Sequence, residues 1–114
     1  MNHPRRVRLV EVGPRDGLQN EAKPVSVEAK VALIDALSAA GHSAVEAGSF
    51  VSPKWVPQMA NTDEVMARIK RKDGVSYPVL VPNKQGMNGA VEARVGEIAI
   101  FTAASEAFCR KNTN

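Results

Sequence analysis

The stretch that decides the fold is VRLVEVGPRDGLQNE, residues Val7–Glu21. Its first six residues are mostly apolar and β-branched, and the run ends at Gly13-Pro14, which predicts a strand over Val7–Val12. A group of polar side chains follows at once, beginning with Arg15 and Asp16. In parallel α/β proteins the functional groups gather at the carboxyl ends of the strands. The stretch therefore predicts a strand whose carboxyl end is followed by functional side chains, Arg15 and Asp16 among them.

The rest of the chain repeats this alternation of strand and helix. Apolar residues recur at helical spacing after Ser26, which predicts a capped helix that runs to Ala40 and closes at Gly41. A second helix is predicted to begin at Asn61 or Thr62, after a loop. Further strands are predicted over Ser43–Ala47, Ser76–Val81 and Glu97–Thr102, and a weak helix over Gln85–Arg94. The order predicts a parallel α/β sheet with right-handed crossovers.

Four such β/α units fit two architectures. They amount to the first half of an eight-stranded barrel, whose usual length is about 250 residues, or to a small open sheet that is complete in itself. A half-barrel leaves two open sheet edges and an uncovered apolar face. Topology alone does not separate the two, and the polar stretch from Ala103 to Asn114 predicts no further strand.

Composition narrows the classes of function. The chain has 114 residues, 44% hydrophobic and 24% charged, which is ordinary for a single soluble domain. Only 4% of the residues are aromatic, which argues against a nucleic-acid partner. No apolar run approaches the roughly 20 residues that span a bilayer, which argues against a membrane partner. A single cysteine, Cys109, predicts a reducing, cytoplasmic setting.

Three residues carry the clearest chemistry. Asp16 offers a hard oxygen ligand for a divalent cation, and the adjacent Arg15 can stabilise a developing oxyanion. Glu46 lies in an apolar predicted strand, where a carboxylate needs a partner, and Arg15 is the natural one. The same residues also fit a plainer interpretation, in which Asp16 is a turn residue and Arg15 and Glu46 form a structural ion pair.

Four blocks of the sequence resemble the hydroxymethylglutaryl-CoA lyase family. They are VEVGPRDGLQNE at Val10–Glu21, SFVSPKWVPQM at Ser49–Met59, YPVLVPN at Tyr77–Asn83 and FTAASEAFCRKN at Phe101–Asn112. The resemblance covers nearly the whole chain from Val7. It implies that residues 1–114 are the N-terminal portion of a single catalytic domain, the first half of a TIM (β/α)8 barrel.

The resemblance also implies an activity. The enzyme would cleave the carbon–carbon bond of 3-hydroxy-3-methylglutaryl-CoA to acetyl-CoA and acetoacetate, as in leucine degradation, with Mg²⁺ or Mn²⁺ as cofactor. It would take an acyl-CoA substrate and form a homo-oligomer. By position, Asp16 matches the metal-binding aspartate, Arg15 the arginine that stabilises the enolate, and Glu46 the glutamate that holds this arginine. Substrate-binding positions are matched by Gln19, Ser49 and Asn112, the last of them near the CoA moiety.

Part of the family's machinery has no counterpart in this sequence. The metal-binding histidines of an HxH motif are absent, so we expect that the 114-residue chain does not turn over substrate alone. Two alternatives are an acetyl-CoA-condensing synthase of the same superfamily and a non-catalytic half-barrel that acts as an assembly module. The block SPKWVPQM favours the lyase over the synthase.

Overall fold

The computed structural model describes residues 2–112, and at position 112 the backbone only. Helices and parallel strands alternate along the described chain. The strands are β1 (Gly48–Ser49), β2 (Val79–Leu80) and β3 (Ile98–Ala99). The helices are α1 (Val27–Ala39), α2 (Thr62–Arg68), α3 (Lys84–Glu92) and α4 (Glu106–Asn112), joined by a π-type turn at Gly13–Gly17 and a 3₁₀ turn at Pro57–Met59.

The strands form a parallel sheet in the order β1-β2-β3. Gly48 pairs with Val79, which in turn pairs with Ile98. Two isolated parallel bridges extend the sheet, Glu11 with Val45 and Ala44 with Ser76. The predicted parallel α/β arrangement is confirmed, with the segment around Glu11 lying beside the first edge of the sheet.

The predicted strands are longer than those the structure contains. Over Val7–Val12 only Glu11 makes a bridge, so the prediction of a regular strand there is wrong. Glu11 donates to the carbonyl of Ala44 at 2.9 Å and accepts from the amide of Glu46 at 2.8 Å. The chain preceding it has no regular partner, and an apolar pattern without a neighbouring backbone does not make a ladder.

Strand boundaries inside the sheet also differ from prediction. The second strand is regular at Gly48–Ser49, after the predicted Ser43–Ala47, where only bridges occur. Within the third, Pro78 has no N–H to donate, and it separates the bridge at Ser76 from β2. Pro78 still accepts from the amide of Ala47 at 2.9 Å. The ladder is therefore interrupted where the sequence places a proline.

Local capping signals set the helix bounds more accurately. The Ser26 hydroxyl accepts from the amide of Ala29 at 3.2 Å, and α1 ends one residue before the predicted Ala40. Gly41 follows with φ 104°, a conformation that favours glycine. The helix α3 begins at Lys84, capped by Asn83. The polar stretch after β3 contains α4, a helix that the sequence interpretation did not predict.

The core lies between the sheet and helices α1–α3. Its fully buried apolar residues include Ile34 on α1, Val65 and Met66 on α2, and Val45 and Val79 from the sheet. The helices α1 and α2 pack against each other. No described helix has the length and apolar character needed to cross a membrane.

Candidate functional site

The π-type turn Gly13–Gly17 places the Arg15-Asp16 pair just after the bridged residue Glu11. The carbonyl of Val12 accepts the amides of Arg15, Asp16 and Gly17, at 3.1, 2.7 and 3.3 Å. One acceptor thus folds the whole turn tightly over the end of the extended segment. Turns of this type occur frequently at functional sites.

Arg15 and Glu46 form the buried pair that the sequence interpretation anticipated. The Arg15 Nε donates to Oε1 of Glu46, and the exposed fractions of the two side chains are 18% and 8%. Glu46 lies between core residues Val45 and Ala47. A carboxylate there needs a cation, and Arg15 provides it, so the pair joins the first turn to the neighbouring strand segment.

The other edge of the Arg15 guanidinium faces the polar loop. Its Nη1 lies 3.4 Å from Oδ1 of Asp16 and 3.5 Å from Oε1 of Gln19. Its Nη2 makes no hydrogen bond with any residue that the structure describes. Asp16 is 57% exposed, and Asn20 fixes its backbone by donating to the Asp16 carbonyl at 2.7 Å. Three of the predicted site residues therefore lie around one guanidinium.

Ser49 lies at the carboxyl end of β1, fully buried. Its hydroxyl donates to the carbonyl of Leu80 at 3.2 Å, and its amide donates to Oγ1 of Thr62 at 3.2 Å. Ser49 also lines a cavity of about 550 Å³ between α2 and α3, which neither Arg15 nor Asp16 lines. The structure thus gives Ser49 a strand-joining contact, while a role in substrate binding stays a prediction.

Asn112 is the remaining predicted site residue. It is the last residue of α4, and its side chain lies outside the described part of the structure. The predicted contact with a CoA moiety is therefore not addressed by the geometry.

The donor set bears on whether a metal ion fits here. Among the described residues there is no group of three or more His, Cys, Asp or Glu side chains that could hold one. Asp16 offers one exposed carboxylate next to Gln19. Mg²⁺ commonly uses one or two carboxylates together with water and substrate oxygens. Asp16 therefore fits as one ligand of such an ion and does not make a complete site.

Sequence reasoning missed two residues, Lys30 and Thr62, whose hydrogen bonds fix the backbone next to the predicted site residues. Lys30 is buried at 3% exposure, and its ammonium donates to the carbonyl of Gln58 and to Oδ1 of Asn61. Burial lowers the pKa of this ammonium. Thr62 bonds to both backbone groups of Ser49. Helical periodicity does place Lys30 near the apolar face of α1. No sequence motif, however, identifies a lysine that is buried and donates to a backbone carbonyl.

A family model described as HMGL-like matches residues 6–114. A 3-hydroxy-3-isohexenylglutaryl-CoA/hydroxy-methylglutaryl-CoA lyase of Pseudomonas aeruginosa is 59% identical over all 114 residues, which make up 38% of that relative. The mitochondrial hydroxymethylglutaryl-CoA lyase of Homo sapiens is 57% identical over 97% of this chain and 34% of its own length. The chain thus spans about a third of the length of these curated relatives.

Solved structures show the same likeness in three dimensions. A hydroxymethylglutaryl-CoA lyase from Pseudomonas aeruginosa superposes with a TM-score of 0.88 at 58% identity, over 97% of this chain and 37% of that one. An HMG-CoA lyase from Acinetobacter baumannii, in complex with coenzyme A and 3-methylmalate, has a TM-score of 0.88 at 42% identity, over 93% of this chain and 35% of that one.

These likenesses decide the architecture that topology left open. The parallel β/α units superpose on a TIM-barrel lyase over 97% of this chain and 37% of the lyase, so the expected barrel-type arrangement of parallel β/α units is confirmed. The family model covers all six predicted site residues, including Arg15 and Asp16 in the first turn. The chain belongs to the HMGL-like family.

Proposed function

We propose that this chain supplies the Arg15, Asp16 and Glu46 part of the active site of a carbon–carbon lyase. The reaction is the cleavage of 3-hydroxy-3-methylglutaryl-CoA to acetyl-CoA and acetoacetate, and the chain alone does not perform it. The observation that carries the proposal is the arrangement around the Arg15 guanidinium, held by buried Glu46 and flanked by Asp16 and Gln19. The names of the relatives agree with it.

The chemistry asks for a fixed cation near a developing oxyanion. When the carbon–carbon bond breaks, the leaving fragment is a thioester enolate, and negative charge grows on its oxygen. Glu46 holds Arg15 by Nε, which leaves Nη2 able to donate to that oxygen. A preorganised donor costs little reorganisation at the moment of reaction. Arg15 is therefore proposed as the catalytic residue, with Glu46 orienting it.

Asp16 and Gln19 lie on the side of Arg15 that faces away from Glu46. We assign Asp16 as one ligand of a divalent ion, Mg²⁺ or Mn²⁺, because its carboxylate is exposed and beside the guanidinium. When bound, such an ion polarises substrate oxygens and lowers the pKa of the substrate hydroxyl. Gln19, with Ser49 and Asn112, is assigned to substrate binding, as the family resemblance implies.

The test uses a chimera in which residues 1–114 replace the matching segment of the Pseudomonas aeruginosa lyase. We expect acetoacetate from hydroxymethylglutaryl-CoA, no product after treatment with a chelator, and none from the isolated chain. In the chimera, Arg15→Met should lower kcat by about a thousandfold, several kcal/mol of barrier. A folded but inactive chimera, an active isolated chain, or near-normal turnover by the variant would refute the proposal.

The acyl branch of the substrate is part of the same experiment. The Pseudomonas aeruginosa relative is named for both an isohexenyl and a methyl branch. We propose the methyl-branched thioester for this chain, and the ratio of kcat/KM for the two thioesters measures the preference. We also propose a cytoplasmic location, supported by the use of a single cysteine, which microscopy of a fluorescent fusion would test.

A further inference from the structure

Lys30 is a buried cation whose partners are neutral. It lies on α1 at 3% exposure and donates to the carbonyl of Gln58 and, at 2.7 Å, to Oδ1 of Asn61. No carboxylate pairs with it among residues 2–112. Burying an ammonium costs free energy unless hydrogen bonds compensate. These two bonds are therefore the compensation, and they fix the segment that supplies them.

Both acceptors lie on one short segment. Gln58 is in the 3₁₀ turn Pro57–Met59, and Asn61 is the residue before α2. Asn61 occupies the N-cap position, yet its side chain caps no amide of α2, because its oxygen accepts from Lys30 instead. Asparagine favours the N-cap role, but here its side chain binds Lys30 on α1 instead of an amide of α2. The segment after Ser49, which we call the second loop (residues 50–61), is held to α1 at its far end.

The same glutamine makes a second link. Its side-chain Nε2 donates to the carbonyl of Glu21 at 2.9 Å. Glu21 lies just after the helical turns of residues 13–20, which contain Arg15, Asp16 and Gln19, and we call residues 13–21 the first loop. Gln58 therefore accepts from Lys30 with its backbone and donates to the first loop with its side chain.

We propose that Lys30 is a positioning residue that, through Gln58, sets the separation between the first loop and the second loop. The two loops carry or adjoin the groups assigned to substrate binding, Gln19 and Ser49, so the functional part of the inference rests on the proposed function. The chain of contacts has a direction. Removing Lys30 frees both loops, whereas removing the Gln58 side chain frees only the first loop.

Hydrogen exchange of the 114-residue chain tests that direction. Lys30→Met should speed exchange of backbone amides in both loops by about tenfold relative to those of α3. Gln58→Met should do so in the first loop only. Ser38→Ala is the matched control, since it removes a buried hydroxyl on α1 that bonds to Ile34 and Tyr77 rather than to either loop. It should leave both loops at the rate of the unchanged chain.

Two results would overturn the inference. One is an identical exchange pattern in Lys30→Met and Ser38→Ala, because Lys30 would then only stabilise the whole fold. The other is an unchanged first loop in Gln58→Met. That variant removes a bond of an incompletely buried side chain to a backbone carbonyl, so it decides the matter even if Lys30→Met fails to fold.

A kinetic measurement addresses the functional part. In the chimeric lyase, Lys30→Met should raise KM for hydroxymethylglutaryl-CoA about fivefold, and kcat should stay within about twofold, because Glu46 still holds Arg15. A fall in kcat with unchanged KM would contradict the assigned role. If the chimera without this change is inactive, the proposed function fails, and the exchange pattern alone decides whether Lys30 positions the loops.

Discussion

At the scale of the residue, the Arg15–Glu46 pair is where stability and chemistry meet. Both side chains are largely removed from water, and each satisfies the other. Removing one partner of such a pair leaves the other charge buried and uncompensated, which costs far more than replacing both by apolar groups. The same contact orients the guanidinium, which is what the proposed catalytic role of Arg15 requires.

This asymmetry gives a prediction for stability. Arg15→Met should lower the free energy of unfolding by about 3 kcal/mol, because the Glu46 carboxylate loses its cation. The double variant Arg15→Met with Glu46→Leu should recover most of that loss. Urea unfolding of the two variants and of Glu46→Leu alone completes a double-mutant cycle. Losses that simply add would show that the two side chains do not interact.

Lys30 gives a prediction for pH. Burial lowers its pKa from 10.5, so the folded state disfavours the protonated lysine. The cost is fully present below the folded pKa and is relieved as pH rises through that value towards 10.5. Urea midpoints of the unchanged chain should therefore rise relative to Lys30→Met over this alkaline range. Exposed Lys70→Met serves as control, and the same relative rise against that variant would contradict the assignment.

At the scale of the element, glycines in α3 show that packing outweighs helix propensity. The sequence predicts a weak helix because of Gly86 and Gly89. The helix forms, and a Cβ on Gly86 would lie 2.5 Å from the carbonyl oxygen of Phe50, while one on Gly89 would lie 2.8 Å from the Phe50 ring. The glycines therefore let α3 approach the chain just after β1.

Gly86→Ala should accordingly destabilise the fold, although alanine favours helices. The clash is with backbone, which cannot turn aside, and overpacking of this kind costs about 1–3 kcal/mol. Gly96→Ala is the control, because nothing lies within 4 Å of its Cβ position. Thermal unfolding of both variants measures the difference. Equal melting temperatures for the two variants would mean that α3 shifts without cost.

The elements also show how far the sequence predicts the structure. Helix α1 follows from Ser26 and Gly41 because caps and positive φ are local properties. The strands over Val7–Val12 and Ser43–Ala47 were misplaced because a ladder depends on which backbone lies alongside, and a single chain's pattern does not contain that.

The candidate site divides in the same way. Arg15 and Glu46 could be paired from the sequence, although 31 residues separate them, because a carboxylate in an apolar strand demands a cation. The bond from Lys30 to Gln58 could not, since its acceptor is a backbone carbonyl that every residue possesses. Residue type therefore predicts contacts between unlike charges better than contacts to the main chain.

At the scale of the whole molecule, one ion pair connects the chain segments at the two edges of the sheet. Arg8, near the N-terminal end of the described chain, donates to both carboxylate oxygens of Glu97, at 2.8 and 3.0 Å, and also to the hydroxyl of Ser76. The hydrogen bond from Arg8 lowers the pKa of Glu97. The contact thus holds the segment before Glu11 close to β3 at the opposite edge.

A depressed carboxyl pKa fixes the sign of the pH effect. The contribution of the Glu97–Arg8 pair is present above the unfolded pKa of about 4.5 and is lost as pH falls through the lower folded value. The Glu11 amide, which donates to the carbonyl of Ala44, should therefore exchange faster on acidification relative to the amides of α1, after correction for intrinsic rates. Glu97→Gln should show fast exchange at neutral pH already. Slow exchange in that variant would mean that the pair does not anchor the segment.

Apolar side chains remain exposed at both edges of the sheet. Exposed fractions reach 75% for Val7, 74% for Leu9 and 77% for Ile100. Patches of this kind favour association, and unpaired strand edges favour it further. We propose that the 114-residue chain forms homo-oligomers by burying these edges against a second copy, as the assembly-module alternative also requires.

Sedimentation velocity over a range of concentrations tests this proposal. The unchanged chain should populate dimers or larger species, and Leu9→Lys with Ile100→Lys should weaken association by about tenfold or more, because each charge must be desolvated in the interface. Trp55→Lys is the control: Trp55 is 79% exposed, yet it lies in the second loop and not in the segments that flank Glu11 or β3. If the control loses association equally, the interface includes that loop. If the unchanged chain is a monomer at all concentrations, the sheet edges stay exposed to solvent and the proposal is wrong.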